Sequence, residues 1–172
     1  MRLTAILAVS RDGALGSTTS PTGMPWPRLQ RDLHRFREAT MGRVCIVGRK
    51  TYEGLPRLPG RRLAVLTGKG ASLHVSAAAS LHSAHQSVDD ALTFLAGESD
   101  VMVIGGAEVY RAMLPLCDRL LLTVVERDYP DADVRLDRPD ALTAGLVCLA
   151  REYHQPDESN PVGVTFSEWV RP

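Results

Sequence analysis

The chain reads as an α/β protein. The expectation is a single domain over residues 1–172, built on a central, mostly parallel twisted sheet of about eight strands that ends in an antiparallel C-terminal hairpin and is flanked by about four helices. Three observations point there. Short apolar runs with few charges recur along the chain, as in strands covered on both faces. Segments with helical spacing lie between them. The last two apolar runs are separated only by a polar turn, which suits an antiparallel return.

In chain order, strands are expected at Leu3–Val9, Val44–Val47, Leu63–Leu66, Val101–Ile104 and Leu120–Val125, then at Leu146–Tyr153 and Val162–Val170 for the closing hairpin. Helices are expected at Leu29–Thr40, at the short Thr51–Gly54, at Ser87–Leu95 and at Ala107–Leu114. Ser87-Val88-Asp89-Asp90 has the form of a capping box with Asp in place of Glu. Ser10–Gly23, rich in Gly, Ser and Thr, reads as a mobile connection after the first strand, the end at which parallel sheets place ligands. Ala71–His85 reads as a Ser/Ala/His-rich connector.

Composition narrows the function. Hydrophobic residues are 44% and charged residues 23%, a globular profile. Twenty basic and twenty acidic side chains give a formal net charge of zero, against nucleic-acid or membrane-surface binding by bulk electrostatics. The eighteen Arg and two Lys are scattered along the chain. No apolar run is long enough to span a bilayer, and the N-terminus lacks a signal-peptide cleavage site. Cys45, Cys117 and Cys148 have no metal-ligand spacing and are expected in the core of a cytoplasmic protein, with no metal.

Four stretches carry candidate chemistry. Met24-Pro25-Trp26 precedes a helix on which Asp32 and Phe36 share a face. An acid on an apolar face is partly desolvated and its pKa rises; a solvated, outward Asp32 is the other reading. In Gly48-Arg49-Lys50-Thr51 a strand ends in Gly and two cations and a hydroxyl open a helix, either an anion site or an ordinary glycine turn. Leu58-Pro59-Gly60-Arg61 is a type II turn signal that directs Arg61 either to capture a carboxylate or simply to the surface. Val103-Ile104-Gly105-Gly106-Ala107, followed by Glu108-Val109-Tyr110, lets backbone approach a ligand with no Cβ between.

Taken in order, the apolar first strand, PW, the helical acid, GRKT, LPGR, VIGG with a following Tyr, and LLLT resemble the dihydrofolate reductases over most of the chain. The resemblance implies an NADPH-dependent oxidoreductase that reduces dihydrofolate to tetrahydrofolate by hydride transfer to pterin C6, with a proton arriving at N5 from water. It implies that Asp32 binds and polarises the pterin, that Thr123 supports that acid, and that Trp26 belongs to the same catalytic set. Around the substrate it places Ala5, Ile6, Leu33, Phe36, Leu55 and Ile104, with Arg61 pairing the carboxylate of a glutamate tail. Around the cofactor it places Ala8, Leu15, Gly16 and Met24, then Gly48, Arg49, Lys50 and Thr51, then Leu66, Thr67, Gly68 and Lys69. It adds Ile104 to Tyr110, that is Gly105 and Gly106, joined by a cis peptide, with Ala107, Glu108, Val109 and Tyr110. Arg49 and Lys69 are implied at the 2′-phosphate, although Gly68 and Gln86 stand where relatives often carry a hydroxyl and a cation. A monomer with small-molecule partners is implied. Two rivals share these features in part: the pyrimidine reductase of riboflavin synthesis, which needs neither Asp32 nor Arg61, and a non-catalytic folate-binding relative.

Overall fold

The protein is seen as a computed structural model that describes residues 1–68 and 82–172. Among the described residues ten strands form: β1 (Arg2–Ser10), β2 (Ala14–Gly16), β3 (Val44–Gly48), β4 (Arg62–Leu66), β5 (His82–His85), β6 (Asp100–Val103), β7 (Arg119–Val125), β8 (Val134–Arg135), β9 (Val147–His154) and β10 (Val164–Val170). The helices are α1 (Gln30–Thr40), α2 (Arg49–Gly54), α3 (Val88–Phe94), α4 (Ala107–Met113) and the one-turn α5 (Pro139–Leu142), with a 3-10 turn at Leu114–Leu116. Eight strands make the main sheet in the order β5-β4-β3-β6-β1-β7-β10-β9, and β2 pairs with β8 apart from it.

Two compact units divide the chain, one of Met1–Ala5 and Ala39–Cys117, the other of Ile6–Glu38 and Asp118–Pro172. The first holds the parallel pairs. Val44 stands opposite both Arg62 of β4 and Val101 of β6, and Arg2 to Ala5 stand opposite Asp100 to Val103. Cys45, Ile46, Val47, Ala64, Val65, Val101, Met102 and Val103 are all buried to within a percent of completeness. Burial on both faces removes any need for polar alternation, which is why these runs look uniformly apolar.

The second unit holds the closing hairpin, where β10 lies antiparallel to both β7 and β9, with a register shift between Glu168 and Trp169. Beneath it Trp26, Leu29, Val125, Val162 and Val164 form a buried cluster. The Trp26 ring meets Tyr129 edge-on at 5.8 Å, a geometry that suits the ring quadrupoles. The Asp12 carboxylate accepts from Arg135 Nη2 at 2.7 Å, tying the β2 turn to β8.

Several expectations need correction. Part of the presumed connector Ala71–His85 is strand β5, which the sequence hides because His82-Ser83-Ala84-His85 has no large apolar residue and sits at the sheet edge. The remainder of that stretch lies outside the described residues. Ser10–Gly23 is not all loop, since Ala14–Gly16 pairs with Val134–Arg135, a contact set by tertiary register rather than local pattern. Cys148 is exposed on edge strand β9, whereas Cys45 and Cys117 are buried as expected. The box at Ser87 is half formed: Ser87 Oγ accepts from Asp90 N at 3.1 Å, while the Asp90 carboxylate reaches back to Gln86 N at 3.0 Å, one residue early. Among the described residues, no helix is long and apolar enough to cross a membrane.

Candidate active site

In the second unit the acid lies where an apolar face would put it. Asp32, in the first turn of α1, is half-buried, and burial pushes its carboxyl pKa up. A hydrogen bond from the Thr123 hydroxyl and the positive charge of Arg35 oppose that rise without cancelling it. Thr123 is 1% exposed in the middle of β7. The reading of Asp32 as a solvated, outward acid is thereby set aside.

Next to this pair stands a residue that sequence reasoning missed. Arg35 Nη1 donates to the Leu122 carbonyl at 2.9 Å and to Thr123 Oγ1 at 3.0 Å, and Nη2 donates to the Ser167 carbonyl at 2.8 Å. Its guanidinium carbon lies 4.6 Å from the Phe166 ring centroid. The available signal was its i,i+3 spacing from Asp32, which puts both on one helical face. Phe36 is half-buried, while Leu33 and Met24 are exposed apolar side chains at 44% and 46%. Trp26 is 6% exposed, so most of its ring serves the core cluster. Ile6 is buried, Ala8 packs against that cluster, and Leu15 and Gly16 sit on β2.

In the first unit the glycines at the ends of β3 and β6 are packed against each other. Gly48 N donates to the Gly105 carbonyl at 2.7 Å, and the Gly105–Gly106 peptide is cis. Gly105 has φ +99°, and a Cβ there would lie 2.6 Å from the Tyr110 ring. On Gly106 a Cβ would lie 2.6 Å from Thr51 Oγ1. Gly48 and Gly106 start α2 and α4 with no side-chain cap, which leaves their first N–H groups to other acceptors. Gly105→Ala is therefore expected to cost about 2 kcal/mol or more, from a disallowed φ plus the clash with Tyr110, read as a lower denaturant midpoint.

The remaining cofactor candidates take varied positions. Arg49 Nη1 pairs with Glu53 at 2.8 Å, Lys50 is exposed, and Thr51 faces Gly106. Ala5 and Ile104 are buried, Ala107 is half-buried, Glu108 pairs with Arg111, and Val109 and Tyr110 are buried. Leu66 ends β4, and buried Thr67 lines a cleft with His85, Gln86, Ser87 and Asp90; Gly68 is exposed. Lys69 lies outside the described residues. Among the described residues no three His, Cys, Asp or Glu side chains gather as metal ligands.

Arg61 departs from the ordinary fate of a surface arginine. It follows a turn closed by its own N–H to the Leu58 carbonyl at 3.3 Å, with Gly60 at φ +76° as a type II turn requires. The residue is 6% exposed, and among the described residues Nη1 has only Met41 Sδ at 3.9 Å and buried Nε has no hydrogen-bond partner. A buried guanidinium left so poorly matched suits an anion that arrives with a ligand. Leu55, half-buried, ends α2 upstream of that turn.

A family model described as dihydrofolate reductase matches residues 2–171. The chain belongs to the dihydrofolate reductase family. It is 40% identical over 159 residues to dihydrofolate reductase type 8 of Escherichia coli, covering 90% of this chain and 87% of that one. To dihydrofolate reductase type 3 of Salmonella typhimurium it is 33% identical over 169 residues, 96% of each. Among solved structures it superposes with TM-score 0.83 and 27% identity on dihydrofolate reductase from Enterococcus faecalis complexed with NADP(H) and RAB-propyl, covering 99% of this chain and 96% of that one. The eight-stranded, mostly parallel sheet with its antiparallel C-terminal hairpin is the fold expected of a dihydrofolate reductase.

Proposed function

We propose that this member of the dihydrofolate reductase family reduces 7,8-dihydrofolate to 5,6,7,8-tetrahydrofolate with NADPH. The observation that carries the reading is the half-buried Asp32 carboxylate held by Thr123, in a chain that the family model matches almost end to end. When bound, NADPH supplies the hydride that C6 accepts. The chain's own residues do the rest. An ionised Asp32 accepts two parallel hydrogen bonds from the pterin amino group and the adjacent ring N–H, which fixes the heterocycle's orientation. Its charge favours a proton on N5, and that proton comes from water because the carboxylate grips the far edge of the ring. Thr123 positions the acid, and Arg61 pairs the α-carboxylate of the glutamate tail, satisfying its unpartnered Nε. Phe36, Leu33 and Leu55 supply apolar contact, as do Ala5, Ile6 and Ile104.

The cofactor fits the donor set of the first unit. Cβ-free backbone at Gly48, Gly105 and Gly106, uncapped N–H groups, Thr51 and Arg49 suit a flat ring and phosphates. The cleft at Thr67 suits the adenosine end. Arg49 is assigned to the 2′-phosphate, and so Arg49→Ala is expected to raise KM for NADPH by roughly 10- to 100-fold, the worth of a charge-assisted bond, with KM for NADH almost unchanged. Equal effects on both would remove the assignment.

We also infer a monomer acting in the cytoplasm, a reading supported by a formally neutral chain and by three cysteines that form no disulfide, and checked by light scattering and by fractionation. The reading as a whole is tested by following loss of reduced-nicotinamide absorbance with dihydrofolate and with a ribosylated pyrimidine. Turnover of the first alone supports it. Turnover of the pyrimidine points to the riboflavin-type reductase, and turnover of neither points to a binding protein.

A further inference from the structure

We propose that Arg35 is a positioning residue for the reaction: by donating to Thr123 it fixes the direction of the threonine hydroxyl, and so holds the Asp32 carboxylate oriented and ionised. The inference rests on the assignment of Asp32 to the substrate, but its geometry is independent of that assignment.

A hydroxyl has one proton and two acceptor lone pairs, while a guanidinium has only donors. The 3.0 Å contact between Arg35 Nη1 and Thr123 Oγ1 is thus a bond in which Thr123 accepts. Its single proton must then point elsewhere, and we assign it to the Asp32 carboxyl, whose rise in pKa the same hydroxyl opposes. Without Arg35 the same hydroxyl could rotate to donate to a backbone carbonyl of its own strand. The guanidinium is itself held in one plane, by the carbonyls of Leu122 and Ser167 on β7 and β10 and by the ring of Phe166 against its face. Chain segments 87 and 132 residues away therefore set the angle at which it meets Thr123.

The charges around Arg35 leave it free to act on Asp32. From β10 it is faced by Glu168 and from β7 by Arg119, and these two pair with each other at 2.8 Å, so their fields at Arg35 oppose. On β9, the His154 ring meets that of Phe166 at a tilt, centroids 4.8 Å apart, and lies 3.7 Å from Glu152. Asp32, one helical turn away, is the acid whose charge Arg35 offsets. Burial works to protonate Asp32, and a protonated carboxyl cannot accept two hydrogen bonds from a pterin edge while keeping its charge beside N5. A cation plus a directed hydroxyl counters that tendency.

The test is a carboxyl-carbon NMR titration of aspartate-labelled protein with no pterin present, the Asp32 resonance being assigned by its absence in Asp32→Asn. In Arg35→Met the Asp32 midpoint is expected to move up by about one pH unit or more, the effect of losing a nearby opposite charge and an oriented donor. Arg35→Lys, which keeps the charge but not the planar fork, is expected to fall between. Thr123→Val is expected to raise the midpoint too, and Arg35→Lys in that background is expected to add less than it does alone, because the two act through one bond. With dihydrofolate, KM in Arg35→Met is expected to begin rising, as pH falls, about one pH unit above the point where it does in the unaltered protein. An Asp32 midpoint that stays in place in folded Arg35→Met overturns the proposal. If Arg35→Met does not fold, an unmoved midpoint in Arg35→Lys overturns it equally. Because the titration uses no substrate, it reads out even where the protein fails to turn over dihydrofolate.

Discussion

Asp32→Asn is expected to lower turnover of dihydrofolate by roughly 10²- to 10³-fold at neutral pH, the scale of losing one preorganised electrostatic group. Part of the loss should return as the pH falls, since N5 can then be protonated directly from solvent before the hydride arrives. The unaltered protein, with its acid in place, should depend less steeply on added protons. A pH–rate profile that drops uniformly, keeping its shape, would show that Asp32 does not govern the charge at N5. The same variant has a second expected signature, in stability. Asp32 has its folded pKa raised above the ordinary 3.8, so the folded state binds more protons than the unfolded one between those two values. Stability contributed by this group is therefore lost as pH rises through that window, and the cost is fully present above it. Replacing the carboxyl by an amide removes the cost, so Asp32→Asn should melt higher than the parent above that window, with the gain fading as pH falls through it and gone by about pH 4. Higher melting together with lower turnover marks a group kept for chemistry and not for the fold.

Arg61→Leu is the second large effect. The residue is 6% exposed and its Nε has no partner among the described residues, which costs desolvation in the free protein that a bound anion would offset. KM for dihydrofolate should rise by roughly 10- to 100-fold, the range of a charge-assisted pair, while a bare reduced pterin without a glutamate tail should bind almost as before. The ligand-free variant should be at least as stable as the parent, because an apolar side chain replaces a poorly matched buried cation. Equal weakening of the tailed and tailless ligands would remove the clamp from the substrate site and leave Arg61 as a packing residue.

How legible these features were in the sequence depended on the range of the interactions behind them. Local signals survived. The Pro59-Gly60 turn, the glycine pair after β6 and the parallel core strands arise from a few consecutive residues and took the expected form, while Ser87 caps its helix without the full reciprocal box. The short strands β2, β5 and β8 did not show, because two to four residues are too few to carry an apolar periodicity and are strands only where a partner's register makes them so. Cys148 misled for a related reason: apolar character alone places a residue inside, but β9 is an edge strand whose side chains are exposed nearly throughout. At the site, the helical spacing of Asp32 and Phe36 allowed a desolvated acid and left a solvated one equally open. What decides it is Thr123, some ninety positions along the chain, and Arg35, whose three acceptors lie on strands that no local pattern connects to α1. Arg61 was visible as a residue held by a turn, but its burial, and the lack of a partner for its Nε among the described residues, are properties of the folded unit alone.

The claim at the centre is that one carboxylate holds the edge of the pterin. Folate labelled with nitrogen-15 at N3 and at the 2-amino group, bound to the NADPH-loaded protein, tests it directly by proton–nitrogen correlation. Two slowly exchanging, strongly downfield N–H resonances are expected in the unaltered protein, and both should move upfield or vanish in Asp32→Asn at saturating ligand. Resonances that stay unchanged in that variant would contradict the account.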